Sequence, residues 1–280
     1  MQILDGKKVA DEFAAKLKLR VARLKKRGIV PKLAVIMIEP QKRSLIYVRM
    51  KHRRAEELGI EIEEITLKQQ SQTDYAAQIH SVAARPNIHG IILQLPIPDS
   101  LDKQALIDCI PPHKDVDGLT TANRERFESG KPDFWPATPR GVLKIMRDYH
   151  INPADKTVTV IGRSDLVGYP LACLLKRKGA HVHIAHRGTP DIAALTRESD
   201  IIVSAAGSPR LVTADMVRKG AAIIDVGINE DGERIVGDVD YNMVKDKAGY
   251  ITPVPGGVGP TTVIMLMSNV IKAARRQSAD

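Results

Sequence analysis

The sequence predicts an α/β protein of two domains, the second built on a doubly wound parallel sheet. Three observations carry this expectation. Apolar, strand-like runs alternate with amphipathic, helix-like segments along most of the chain, an order that pairs strands in parallel and places helices on the sheet faces. Four apolar runs, TVTVIG, HVHIAH, DIIVSAA and AAIIDVG, recur at regular intervals from residue 157. The chain has 280 residues, and single cores rarely grow far beyond about 250.

Residues 5–27 read as an amphipathic helix closed by Gly28, a residue suited to a C-cap. Leu33–Ile38 follows as a buried strand, then the polar EPQKRS, then a helix from about Ser44 to Leu58 stopped by Gly59. Residues 60–67 alternate like a strand, 73–83 have helical spacing, and GIILQLP, 90–96, is a further apolar strand. PPHKDVDG, 111–118, breaks this rhythm with prolines and a turn, and 119–138, polar and carrying Pro132 and Pro136, reads as an irregular linker. Pro139 suits the first turn of a helix running to about Tyr149. Helical segments separate the first three of the four recurring runs. ITPVPGGVGP, 251–260, holds too much Gly and Pro for a helix or a central strand. It introduces a last helix, about 261–275, whose apolar residues are expected to pack on the first domain.

Composition narrows the function classes. Hydrophobic residues make up 43% of the chain, which excludes a disordered protein. No apolar run reaches the roughly 18 residues that span a bilayer. The start, MQILDGKKVADEF, has early acids and no apolar core, so it does not read as a secretory signal. Cys109 and Cys173 lie in helix-like apolar contexts and are expected to be buried, unpaired thiols. Together these features point to the cytoplasm. The net charge of +9 is spread along amphipathic helices, and aromatics are only 4%, which disfavours a base-stacking nucleic-acid platform. A basic surface also suits small anionic ligands.

Several constellations carry chemistry. IGRSDLVGYP, 161–170, leads a strand through Gly162, Arg163 and Ser164 toward a helix starting near Gly168 or Pro170. Glycine permits close backbone approach to a pyrophosphate, and a helix N-terminus offers free N–H groups. The spacing is not Gly-x-Gly-x-x-Gly, so a plain strand-to-helix turn explains it equally well. The next strand ends His186-Arg187 without the acid that grips an NAD ribose, so Arg163 and Arg187 favour the 2′-phosphate of NADP. Tyr47 and Lys51 stand four apart, on one helix face. A lysine held in a cleft can serve as a base near neutral pH. Gln94 ends a buried strand, where an amide would orient that lysine. In KDVDG, Asp115 and Asp117 both qualify either as turn stabilisers or as the carboxylate that pairs with an amino-pyrimidinone edge. His181, His183 and His186 lack a Cys, Asp or Glu to complete a ligand set, so no metal is expected.

Taken together, SLIYVRMK, GIILQLPIP, KDVDG, PATPRGV, IGRSDLVGYP, IIDVGIN, VGDVD and ITPVPGGVGPTTV resemble, in order, segments of the bifunctional methylenetetrahydrofolate dehydrogenase/methenyltetrahydrofolate cyclohydrolase family. The resemblance implies two α/β domains with an interdomain cleft. Residues 1–140, completed by the C-terminal helix 269–280, would form the catalytic folate domain, and 141–268 a Rossmann-type dinucleotide-binding domain. It implies NADP as cofactor, a folate substrate and a homodimer. Carried over by position, Tyr47 and Lys51 are similar to the catalytic tyrosine and lysine, Gln94 to the glutamine supporting the lysine, and Asp117 to the carboxylate holding the pterin. Gly162, Arg163 and Ser164 match the cofactor phosphate loop, Arg187 a position near the adenosine ribose, and Ile228 one near the nicotinamide. Pro255, Gly256 and Gly257 resemble the segment lining the folate and nicotinamide cleft. Two departures stand out. Glu39-Pro40 followed by Gln41-Lys42-Arg43-Ser44 makes the loop before the catalytic helix more basic than usual, and Ala137 stands where the family often has Cys.

Overall fold

A computed structural model of the chain describes residues 1–40, 42–232 and 234–278, with the backbone alone for Lys42, Arg43, Ser44 and Ile46. In chain order the elements are β1 (Gln2–Ile3), α1 (Gly6–Lys25), β2 (Lys32–Ile38), α2 (Lys42–Leu58), β3 (Glu61–Leu67), α3 (Gln72–Ala83), β4 (Gly90–Leu93), α4 (Lys103–Asp108), α5 (Thr121–Glu128) and α6 (Ala137–Asp148). They continue with β5 (Thr157–Ile161), α7 (Gly168–Lys176), β6 (His181–Ala185), α8 (Ile192–Arg197), β7 (Ile201–Ser204), β8 (Ala222–Asp225), β9 (Asn229–Asp231), β10 (Arg234–Val236), α9 (Tyr241–Val244), β11 (Tyr250–Ile251) and α10 (Val258–Gln277). The chain divides into two compact units, Met1–Glu12 with Thr138–Thr262, and Phe13–Ala137 with Val263–Asp280.

The second of these holds a three-stranded parallel sheet in the order β3-β2-β4. Its central strand β2 is buried from Leu33 to Ile38 because both faces are covered, which is why the sequence there is an unbroken apolar run. Ile36, Ile38, Ile79, Ile91, Leu93 and Leu106 share one core on this sheet. Lys114 crosses to the end of α3 and donates to Ala83 O at 2.8 Å and Arg85 O at 2.7 Å, satisfying carbonyls the helix leaves open. The later part of α10 is tied into this unit by Asn269, whose Nδ2 donates to Val116 O at 2.8 Å and Trp135 O at 3.0 Å.

The other unit holds a six-stranded sheet in the order β1-β11-β8-β7-β5-β6, parallel throughout. From β5 the chain steps to β6 on one side and then to β7 on the other, so the winding reverses between β5 and β7. Val158, Val160, Leu171, Val203 and Ile224 pack with Leu4 and Val9 on one face, and Ile161, Ile202, Ile223 and Ile251 on the opposite one. Gly141 lets α6 lie against α10, since a Cβ there would stand 2.7 Å from Thr261 Oγ1.

Five expectations are corrected. Residues 119–138 are not all irregular: α5 forms there, started by Thr120, whose hydroxyl accepts from Asn123 N at 3.3 Å, and anchored by buried Phe127. The apolar run 90–96 is a strand only to Leu93. Ile251, at the head of the Gly/Pro-rich segment, lies in the interior strand β11, and residues 1–12 join the six-stranded unit because Gln2 and Ile3 extend its sheet beyond β11. Cys109 and Cys173 are unpaired but only half-buried. The basic stretch Gln41–Ser44 lies outside the described residues, apart from the backbone of its last three. Among the described residues no helix is long and apolar enough to cross a membrane.

Candidate active site

Gln94 is fixed by the strand it follows. Its backbone N donates to Ile36 O at 2.8 Å, extending the β2–β4 pairing by one step. Its side-chain Nε2 donates to Leu95 O at 2.8 Å, which settles the amide's orientation and turns Oε1 toward α2. That oxygen accepts from Lys51 Nζ at 2.6 Å. Tyr47, half-buried, precedes Lys51 by four residues on α2, about one helical turn.

Lys51 and Asp117 are half-buried as whole residues, but protein atoms crowd their charged tips. Burial pushes the Lys51 ammonium below the ordinary lysine value, and the negative charge of Asp117 partly opposes this. Burial likewise raises the Asp117 carboxyl, with Lys51 pulling it down and Asp115 adding to the rise. Each group is therefore readier to exist uncharged than on an open surface, which suits proton transfer.

Of the two acids in KDVDG, Asp115 is the turn stabiliser. Asp115 is buried, and its oxygens accept from Gly118 N at 2.9 Å, Thr120 N and Oγ1 at 2.8 Å each, and Asn123 Nδ2 at 2.9 Å. It holds the turn and the start of α5. Among the described residues no donor hydrogen-bonds the Asp117 carboxylate, so its acceptor capacity remains for a ligand.

In the six-stranded unit Gly162 stands at the carboxyl end of β5 with φ +111°, and a Cβ would meet Ala205 O at 2.3 Å. Gly168 opens α7 over the same turn, where a Cβ would meet Gly162 O at 2.1 Å. Only glycine at both positions lets the strand, the turn and the helix start lie this close. Ser164 Oγ accepts weakly from Val167 N at 3.3 Å, so this hydroxyl also shapes the turn. Arg163 and Arg187 are exposed beyond β5 and β6, and the first residues after β6, His186 and Arg187, include no acid. The turn around Arg187 is built by His186, whose Nδ1 accepts from Gly188 N at 3.0 Å. Gly207, after β7, has φ +64° and open space where a Cβ would stand, leaving room for a ligand against the backbone. This set of a glycine-closed turn, a helix start and two free-standing guanidinium groups fits a 2′-phosphorylated dinucleotide.

Ile228 is half-buried between β8 and β9. Pro255, Gly256 and Gly257 lie before α10 in the same unit. Gly256 O accepts from Lys7 N at 3.0 Å, and Gly6 has no room for a Cβ beside Gly257 O, so this turn is built against the start of α1.

Two residues went unassigned by the sequence reading. Asp225 ends β8 and is buried, which raises its carboxyl to about 7 despite hydrogen bonds from Gly227 N, Asp238 N and Val239 N. Asp238, fully buried, gathers donors from the loop after β7. The available signal was an acid flanked by glycine at the end of an apolar run, in IIDVG and again in VGDVD.

Comparison with known proteins agrees with this geometry. The tetrahydrofolate dehydrogenase/cyclohydrolase catalytic-domain model matches residues 4–117, and the NAD(P)-binding-domain model of the same name matches 136–278. The bifunctional protein FolD of Moorella thermoacetica is 47% identical over 277 residues, covering 98% of this chain and 99% of that protein. The crystal structure of the bifunctional methylenetetrahydrofolate dehydrogenase/cyclohydrolase from Campylobacter jejuni superposes with a TM-score of 0.95 at 39% identity, covering 99% of each chain. The Trypanosoma brucei dehydrogenase-cyclohydrolase, solved with NADP and an inhibitor, gives 0.95 at 36% identity, covering 99% of this chain and 98% of its own. With a catalytic-domain match on the unit that holds Lys51, Gln94 and Asp117 and a nucleotide-domain match on the six-stranded sheet, the chain belongs to the tetrahydrofolate dehydrogenase/cyclohydrolase family.

Proposed function

We propose that this protein oxidises 5,10-methylenetetrahydrofolate to the 5,10-methenyl cation with NADP and then hydrolyses that cation to 10-formyltetrahydrofolate. The observation that carries the reading is the buried Lys51 amine held by Gln94 beside Asp117. NADP, when bound, supplies the hydride acceptor, and Gly162, Arg163, Ser164 and Arg187 hold it. Asp117 pairs with the amino-pyrimidinone edge of the pterin and sets the folate in place for both steps. Tyr47 lines the same helix face and positions the substrate.

Hydride leaves the methylene carbon with its electron pair, so the carbon becomes cationic and no proton moves in that step. In the second step water oxygen bonds to the cationic carbon, one carbon–nitrogen bond breaks, and one proton is released overall. Lys51 as free amine takes a proton from the attacking water and returns one to the departing nitrogen. Gln94 keeps the amine aimed without neutralising it, since an amide carries no charge. Pro255, Gly256, Gly257 and Ile228 belong to this reading as lining of the folate and nicotinamide sites. A homodimer in the cytoplasm completes it, and sedimentation tests the assembly.

The test is to mix protein, methylenetetrahydrofolate and NADP and follow methenyl and formyl products separately. Formation of both supports the reading. Methenyl product that never hydrolyses above the buffer rate leaves a dehydrogenase alone, and no turnover with NADP or NAD overturns it.

A further inference from the structure

Two buried carboxylates at the carboxyl end of the six-stranded sheet have no part in the chemistry above. Asp238 Oδ2 accepts from Ala206 N at 2.7 Å, Gly207 N at 3.1 Å and Ser204 Oγ at 3.1 Å. Its Oδ1 accepts from Ser208 N at 3.0 Å and Asn229 Nδ2 at 2.9 Å. Asp225 in turn fixes Asp238, accepting its backbone N at 3.0 Å, along with Gly227 N at 2.9 Å and Val239 N at 2.9 Å. Two side chains thus tie together the loop leaving β7, the loop leaving β8 and the segment entering α9.

Among the described residues no Lys or Arg pairs with either carboxylate. Their charge is met by backbone N–H dipoles, at Asp238 together with Ser204 Oγ and Asn229 Nδ2, and the packing admits no side chain at the two neighbouring glycines. A Cβ at Gly227 would stand 2.1 Å from Asp238 Oδ1, and one at Gly237 1.8 Å from Asp225 Oδ2. Burying two carboxylates without a cation is costly, and the strands beneath them are already held by an apolar core. What the carboxylates add is the shape of residues 205–208 and 227–229. Those residues leave the carboxyl edge of the sheet next to the β5/β7 reversal, where open α/β sheets bind ligands. Gly207 in the first loop faces open space, and the second loop carries Ile228.

We infer that Asp238 is a positioning residue for the dinucleotide, holding the loops after β7 and β8 as the seat for its nicotinamide half while Arg163 and Arg187 hold the adenosine half. The inference rests on the reading that this unit binds NADP. A carboxylate here accepts at both oxygens, whereas an amide of the same shape turns a donor NH2 toward one of the two sets of donors.

The experiment uses Asp238→Asn and the milder Asn229→Ala, which leaves the carboxylate and its backbone donors in place. Binding of NADP and of 2′,5′-ADP, the adenosine half alone, is measured by calorimetry. Amide exchange at 206–208 and 227–229 is followed in the unliganded protein. Asp238→Asn is expected to weaken NADP about tenfold or more while 2′,5′-ADP changes by about twofold or less. Its loop amides exchange faster than those of β5 and β7, and hydrolysis of added methenyltetrahydrofolate is retained. Asn229→Ala follows the same pattern with a smaller change. NADP binding unchanged in both variants, or 2′,5′-ADP weakened as much as NADP, overturns the inference. Unfolding of both variants also overturns it, by making the role purely structural. Wild-type protein that binds neither NADP nor NAD refutes the underlying reading instead, and the inference with it.

Discussion

Lys51 Nζ and Gln94 Oε1 are 2.6 Å apart, and the amide is locked by its own second hydrogen bond to Leu95 O. The lysine is therefore aimed by a neutral partner whose orientation cannot reverse without losing both contacts. A carboxylate in that position would aim the amine equally well but hold it as ammonium. Four consequences concern this site and the nucleotide site, and a fifth concerns stability.

Lys51→Met keeps most of the side chain's length and removes its proton carrier. General acid–base catalysis contributes about a hundred- to ten-thousand-fold, so hydrolysis of methenyltetrahydrofolate is expected to fall by that much. Dehydrogenation falls less, because hydride transfer moves no proton. Methenyl product then accumulates in the coupled assay. Hydrolysis at the wild-type rate, after subtraction of the buffer reaction, removes Lys51 from the mechanism.

Gln94→Glu places a negative charge against the Lys51 amine and stabilises its protonated form, reversing the downward shift that burial causes. The free amine is then formed only at higher pH. The rising limb of the hydrolysis rate is expected to move upward in pH relative to wild type. A pH profile of both proteins checks this, and coincident limbs count against the amine as the titrating base.

Asp117→Asn removes a charge that holds the Lys51 ammonium up, so the lysine shifts further down. NMR titration of labelled lysine reads that direction. Both activities are expected to fall together because both use the same bound pterin, while NADP still binds. Loss of one activity alone would mean that Asp117 does more than hold the pterin.

Arg187→Ala removes a cation exposed beyond β6, where an NAD site would present an acid. A charge-assisted hydrogen bond contributes about 1.5–3 kcal/mol, equivalent to roughly ten- to a hundredfold in affinity. The Michaelis constant for NADP is expected to rise by that factor, with NAD little affected. Equal use of both cofactors by the wild type contradicts the assignment.

Asp225 carries a folded-state value of about 7 against an ordinary 3.8. A raised carboxyl binds its proton more tightly in the folded chain than in the unfolded one. Its contribution therefore turns unfavourable as pH rises from about 4 and reaches its full cost, on the order of 4 kcal/mol, above about 7. Asp225→Asn removes this slope. Urea denaturation from about pH 5 to 8 should show wild type losing stability relative to the variant as pH rises, and parallel curves refute the shift.

The strands were legible because a parallel strand covered on both faces needs apolar residues at every position, as Leu33–Ile38 shows. Helix α5 was not, because it buries little besides Asn123 and Phe127 and so leaves no apolar stripe. Strands β1 and β11 have two residues each, too few to show a period. At the site, Tyr47 and Lys51 were visible through helical spacing and Gln94 through its place after a strand. Asp115 and Asp117 look alike in KDVDG, and only the folded chain separates them, burying Asp115 and giving it four hydrogen-bond donors. Asp225 and Asp238 were hidden for a different reason. An acid in a sequence reads as surface, and what buries these two is a set of amides and glycines brought together from distant segments.

The pairing of Gln2 with Tyr250 and of Ile3 with Ile251 joins segments about 250 residues apart. During synthesis at about 5–20 residues per second, β1 leaves the ribosome some 10–50 seconds before its neighbour exists. Leu4 and Val9, which finish in the core of that sheet, gain the other members of that core one by one, from Val142 to Val258. The nucleotide-binding sheet thus closes across a long gap in the chain, and a nascent chain stalled before residue 250 lacks the strand on which β1 pairs.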